Sequence, residues 1–175
     1  MKKAVMAVCV LCFLMLASSV FAKTYNYPAK KPVFSIDFPD TWKVQIDAED
    51  VAIFAQTSDK EIEYNIWALE DREVKADVTA ALNGAVKEVG EIIEQYVTNT
   101  TFGEWKAEKI NGMEFLWAEG KGKDKEGGQT VFIEVNFFSP DEKTVYALIF
   151  WGTKEGVKKY KAEIEKIDHS IKKAK

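Results

Sequence analysis

A chain of 175 residues, 47% hydrophobic and 30% charged, falls in the ordinary globular range and is long enough for one domain with a sizeable core. Its 28 acids outnumber its 24 bases, which argues against general nucleic-acid binding and strong adhesion to anionic lipid, since both need excess positive charge.

The chain opens with Lys2 and Lys3, an apolar run from Ala4 to Ala17, and Val20-Phe21-Ala22 with small residues around a break, the three-part layout of a secretory signal. Residues 1–22 are therefore expected to be a signal peptide cleaved after Ala22, with an uncleaved anchor as the lesser alternative, because a spanning helix needs about 18 or more apolar residues. Leu11 stands where a lipoprotein signal would place a small residue before Cys12, which speaks against a lipid anchor. Cleavage would remove both cysteines, Cys9 and Cys12, and leave 22 bases against 28 acids, a net charge of −6. The expected destination is periplasmic or extracellular, with no stable membrane insertion after cleavage, and the thiol-free remainder must hold together by packing alone.

Residues 23–32, with Pro28 and Pro32, read as an extended arm, and residues 33–175 as one domain. Strands follow in a meander: Phe34, Ile36 and Phe38 alternate with Ser35 and Asp37, and further strands cover Trp42 to Ile46, Val51 to Gln56 and Ile62 to Leu69. From Asp77, a plausible cap, to Val97 the apolar residues recur in helical steps. Gly90 beside that stripe suits close approach to a sheet, while Gly84 opposite has no evident reason. Thr98 to Thr101 reads as a loop, and Trp105 to Glu119 as a hairpin around Asn111-Gly112, a strong turn signal. Gly120 to Gln129 reads as a solvated loop. After the strand Thr130 to Phe138 comes Lys143 to Trp151, where Val145, Ala147, Ile149 and Trp151 alternate with Tyr146, Leu148 and Phe150, so both sides must be kept from water. A closing helix carries Val157, Tyr160, Ile164, Ile167 and Ile171 on one stripe. These elements predict an α+β fold, a three-layer α/β/α sandwich with a central antiparallel sheet and helices on both faces.

Phe38-Pro39-Asp40-Thr41-Trp42 before a meander and long helix, then an Asn-Gly hairpin, then TVYALIFWG leading to a helix that closes in IDHSIKK, resembles the PsbP-like superfamily over roughly Val33 to Lys172. That grouping includes the extrinsic photosystem II protein, DcrB-type exported bacterial proteins and a yeast Ran-binding protein. The resemblance implies an antiparallel sheet with helices on both faces and a non-enzymatic role in binding or assembly, the partner being another protein or an envelope component. It carries over no functional residue.

Few residues offer chemistry. His169, the single histidine, lies off the apolar stripe near a helix C-terminus and reads as solvated. With no other histidine and no thiol after cleavage, no cofactor, metal site or histidine-based nucleophile is predicted. Asp47, Glu49 and Asp50 crowd one turn without the spacing of a calcium loop. Gly120 to Lys125 lacks the order of a phosphate-binding loop. Lys121, Lys123 and Lys125 could dock an acidic partner, although interleaved acids favour plain solubility. Trp67 and Leu69 are candidate partner contacts on a strand side that begins polar, against the simpler reading that they are core. Glu134 shares a strand side with Phe132, Asn136 and Phe138. It either points to water or sits among aromatics as a carboxyl with raised pKa, and the second case would support an alternative reading as a small exported hydrolase working through two carboxylates.

Overall fold

In a computed structural model, which describes residues 22–48, 51–69, 78–141 and 143–174, the chain is built on an eight-stranded antiparallel sheet. Apart from Ala22, the expected signal lies outside the described residues, as do Asp77, Glu49 and Asp50. The strands are β1 (Ala22–Tyr27), β2 (Phe34–Pro39), β3 (Lys43–Ala48), β4 (Val51–Gln56) and β5 (Ile62–Leu69), followed by helix α1 (Val78–Tyr96). Then come β6 (Val97–Phe102), β7 (Lys106–Ile110), β8 (Met113–Asp124), β9 (Thr130–Phe138), β10 (Val145–Gly152), helix α2 (Lys154–Ser170) and β11 (Lys172–Lys173). The large sheet runs β3-β4-β5-β10-β9-β8-β6, with β7 also paired to β8.

Strand β10 is central, and its alternation divides the core as its sequence demands. Tyr146, Leu148 and Phe150 join Tyr64, Phe115 and Phe138 in a cluster that takes in Ile164 and Ile167 of α2. Val145, Ala147 and Ile149 join Val135 and Phe137 in a second cluster, closed by Ala85, Val89 and Ile93 of α1. The architecture is thus α+β, a large antiparallel sheet with two helices.

Three local expectations need correction. The first strand does not begin the meander: β2 pairs with β1 and β11 in a separate three-stranded sheet, and Phe34, Ile36 and Phe38 pack into the cluster that holds α2. A turn closed by Trp42 N–H donating to Pro39 O carries the chain from that small sheet to the edge strand β3. The expected loops at 98–101 and 120–129 are largely strand, since β6 pairs with the far end of β8. Gly120 and Gly122 look like loop residues but make room for side chains. A Cβ at Gly120 would stand 2.5 Å from the Phe102 ring, and one at Gly122 would stand 2.3 Å from Val97 Cγ1. Finally, Gly90 does not serve close approach, because a Cβ there meets nothing within 4 Å. Gly90→Ala is therefore expected to stabilise the protein by about 0.5–1 kcal/mol through lower unfolded-state entropy, read as a higher urea midpoint at unchanged slope.

Helix α2 is fastened at its start, along its length and at its end. Thr153 caps its start, accepting from Gly156 N–H at 3.0 Å, and its hydroxyl donates to the Glu61 carboxylate. Trp42 Nε1 donates to Glu163 at 2.8 Å along its length. At its far end the Asn-Gly turn reaches up: Asn111 and Gly112 adopt φ of 48° and 82°, and Asn111 Nδ2 donates to the carbonyls of His169 and Ile171, both at 2.8 Å. Those bonds satisfy carbonyls a helix end leaves open and fix the last turn of α2 over β7 and β8.

Candidate functional site

Between that last stretch of α2 and the sheet lies a cavity of about 590 Å³. Its floor follows from strand register. Along β9, Val131, Ile133, Val135 and Phe137 belong to the α1 cluster, so Phe132, Glu134, Asn136 and Phe138 face the other way, toward α2. Across the sheet Glu134 stands opposite Phe150 of β10 on one side and Glu119 of β8 on the other, while Asn136 stands opposite Trp117. The row continues to β7, where Lys106 stands opposite Trp117 with its Nζ 4.5 Å from the centre of the indole ring. The roof is the α2 stripe Val157, Lys161, Ile164, Glu165 and Asp168, spaced in three- and four-residue steps. Phe132, 36% exposed, stands among the lining residues.

The site's electrostatics follow from placing like charges near one another with two of the carboxyls, Glu134 and Asp168, partly withdrawn from water. Glu134 is half-buried and opposite a second glutamate, a pairing that sheets normally avoid. Burial pushes its pKa up, and the charges of Glu119 and Glu165 push the same way. The Asn136 amide, donating to Oε1 at 2.7 Å, and the Lys106 charge act against them. Asp168 is raised well above the usual aspartate range, chiefly by burial and then by the nearby Glu134 charge, although Tyr64 Oη donates to its Oδ1 at 2.6 Å. Tyr64 itself is fully buried and its hydroxyl is held in the neutral form. Glu134 and Asp168 therefore form an interacting pair that favours holding a proton.

Of the two readings left open for Glu134, the structure realises the one among aromatics. His169 is exposed at the rim, with Nδ1 2.7 Å from Glu165 O. Asp168 does not stand out in the sequence, although a signal exists: it lies four residues after Ile164 and three before Ile171, a polar residue on the apolar stripe. The other candidates lie elsewhere. Trp67 and Leu69 are 8% and 2% exposed and belong to the α1 cluster, Trp67 also lining a shallower groove with Tyr96 and Trp151. Lys121 and Lys123 lie on β8, exposed, with Lys123 Nζ donating to Thr130 at 2.9 Å, and Lys125 sits in the turn beyond. Among the described residues no three histidine, cysteine or acidic side chains converge as a metal cage.

No protein-family model matches this chain, and no curated protein matches it in sequence. Solved structures do match it in fold. Cyanobacterial PsbP (CyanoP) from Synechocystis sp. PCC 6803 superposes with a TM-score of 0.61 at 9% identity, over 91% of this chain and 96% of that one. LpqN, involved in cell envelope biogenesis of Mycobacterium tuberculosis, gives 0.59 at 12% identity over 88% and 92% of the two chains. The Saccharomyces cerevisiae Ran-binding protein Mog1p gives 0.53 at 13% identity over 87% and 95%. With the sheet order, the two helices and these superpositions in agreement, the chain has the Mog1p/PsbP-like fold.

Proposed function

We propose that this protein is an exported, non-catalytic binding module, and that it works by seating part of a partner or envelope component in the cavity under α2. The observation that carries this reading is the cavity itself. Seven apolar or aromatic side chains and eight polar or charged ones, five of them carboxylic acids, converge there from regular secondary structure, a concave surface that can hold a ligand by both kinds of contact. Likeness to a Ran-binding protein and to one involved in envelope biogenesis supports a binding role. The signal-like opening of the chain supports export, and no described helix is long and apolar enough to cross a membrane. In this reading α1 and α2 cover opposite faces of the sheet as a three-layer sandwich, and the cavity lies between the α2 layer and the sheet.

A second reading is favoured by one observation, two interacting carboxyls of raised pKa in one cavity, Glu134 and Asp168. A protonated carboxyl beside an ionised one is the resource of acid-base hydrolysis. One titration separates the two. Adding an envelope extract to the labelled protein should shift the Trp117 indole and Asp168 amide NMR signals, while chromogenic glycosides and esters are left intact. Shifts confined to other surfaces would overturn the binding site. Turnover that falls by about 100-fold or more in Glu134→Gln would replace the first reading with the second.

A further inference from the structure

We infer that Asn111 is a site of spontaneous deamidation, and that its conversion to aspartate or isoaspartate is a one-way release of the C-terminal end of α2. The inference does not depend on the cavity's being a ligand seat.

The reaction needs an asparagine amide followed by an unhindered backbone nitrogen, and the chain has two Asn-Gly pairs. Asn83-Gly84 lies within α1, where the glycine N–H is spent on the helix. Asn111-Gly112 is different. Both residues are exposed and stand outside the β7–β8 ladder, which closes at Ile110 and Met113, and a Cβ at Gly112 would meet nothing within 4 Å. Solvent base therefore reaches the Gly112 N–H, and no side chain obstructs attack by that nitrogen.

The step balances with water as its only further reactant. Gly112 N forms a bond to Asn111 Cγ and loses its proton, the Cγ–Nδ2 bond breaks, and ammonia leaves. Water then opens the cyclic imide at either carbonyl, giving aspartate or the isoaspartate whose main chain runs through Cγ. Loss of ammonia makes the change irreversible.

The use to which the amide is put gives the change its consequence. Asn111 Nδ2 donates both its hydrogens to the end of α2, to the carbonyls of His169 and Ile171 at 2.8 Å each. An aspartate carboxylate has no hydrogen to give. It would set a negative charge against two carbonyl oxygens at a helix C-terminus, where the dipole already disfavours an anion. Isoaspartate lengthens the main chain of a two-residue turn and cannot keep its geometry. Either product therefore lets go of carbonyls that a helix end leaves open. Asp168 and His169 lie on the stretch so released and line the cavity, so the modification alters that cavity's roof.

The same two bonds gate the reaction. While they hold, the side chain is drawn to α2 and cannot fold back onto Gly112 N. Conversion proceeds from molecules whose helix end has opened, and its rate follows that opening.

Labelling the purified protein in heavy-oxygen water at mildly alkaline pH, folded and in urea, and mapping the Ile110 to Lys121 tryptic peptide tests this. Asn111 should take up label in both states, about ten-fold or more slowly when folded. Ser170→Ala removes a hydroxyl that accepts from Asp37 N–H at 2.8 Å and donates to Ile167 O at 2.6 Å, and so loosens the helix end without touching Asn111. It should speed labelling of the folded protein by about three-fold or more and leave the rate in urea unchanged. The converted protein, separated by its added negative charge, should show faster amide exchange from Asp168 to Ile171, and Asn111→Asp should reproduce it. No label in the folded protein, equal rates folded and in urea, a parental rate in folded Ser170→Ala, or unchanged exchange at the end of α2 after conversion overturns the inference.

Discussion

Asp168→Asn should be more stable than the parent protein near neutral pH, and Asp168→Ala less stable. The asparagine keeps an Oδ1 to accept the hydrogen bond that Tyr64 Oη donates at 2.6 Å, and removes a carboxyl whose ionisation burial opposes. The alanine leaves a fully buried tyrosine hydroxyl without its acceptor, at about 1–3 kcal/mol. The sign of the pH effect follows from linkage. An aspartate whose folded pKa lies above its unfolded value of about 3.9 binds more protons folded than unfolded between those two values, so stability falls as pH rises through that window. The slope is about 1.4 kcal/mol for each pH unit the window spans. Glu134 is shifted the same way and adds to it. Asp59 has the opposite sign. At the surface, hydrogen bonds from Lys159 and then Tyr160 hold its carboxyl below the usual range, so its contribution is lost only in acid, as pH falls below about 4. Urea unfolding at several pH values between about 5 and 8 should therefore show a falling stability in the parent and a flatter profile in Asp168→Asn. If Asp168→Asn is no more stable than Asp168→Ala, the ionised carboxylate is an asset to the fold and the account of the buried pair is wrong.

What could be read from the residues was what depends on local alternation and turn chemistry. Both faces of β10 were legible because Tyr146 to Trp151 is apolar without interruption, and the β7–β8 hairpin because Asn111-Gly112 accepts the left-handed φ that its turn needs. Pairings set by distant neighbours were not legible. Nothing within residues 34–39 says that they pair with 22–27 and 172–173 rather than with the next strand, and Gly120 and Gly122 look like linker until Phe102 and Val97 are seen against them. The cavity divides the same way. Glu134 stood out because it is an acid in phase with Phe132 and Phe138 on one strand. Asp168 is brought near it only by where α2 docks, a placement held by Trp42 to Glu163 and by Asn111 at the helix end. A cavity in this place also has a physical reason. Glu119, Glu134 and Asn136 occupy positions on the sheet where Phe115, Phe138 and Tyr146 stand a row or two away, and carboxylates cannot be closed over as those rings are without a large desolvation cost.

Leu148→Ala and Ile149→Ala, adjacent residues on opposite faces of β10, should be comparably and severely destabilising, each by about 2–5 kcal/mol. Both side chains are 0% exposed, as are Val145 and Ala147, and Tyr146 and Phe150 are 4% exposed. On an ordinary antiparallel strand with one wet face, one of two neighbours would be nearly silent, because surface substitutions usually change stability by no more than about 0.5 kcal/mol. Here Leu148 lies in the cluster with Tyr64, Phe138 and Ile167, and Ile149 in the one with Val89, Ile93 and Val135. Each truncation removes several methyl or methylene groups from a packed site that hydrogen-bonded strands keep from closing in, so a residual cavity adds to the lost transfer energy. The side chains sit in separate clusters, so the loss in the double variant measures how far the two clusters are coupled through the backbone they share. Urea midpoints of the two single variants and the double variant give the result directly. A loss below about 1 kcal/mol in either single variant would mean that one face of the central strand is open, and if that variant is Leu148→Ala the cover that α2 provides over Glu134 goes with it.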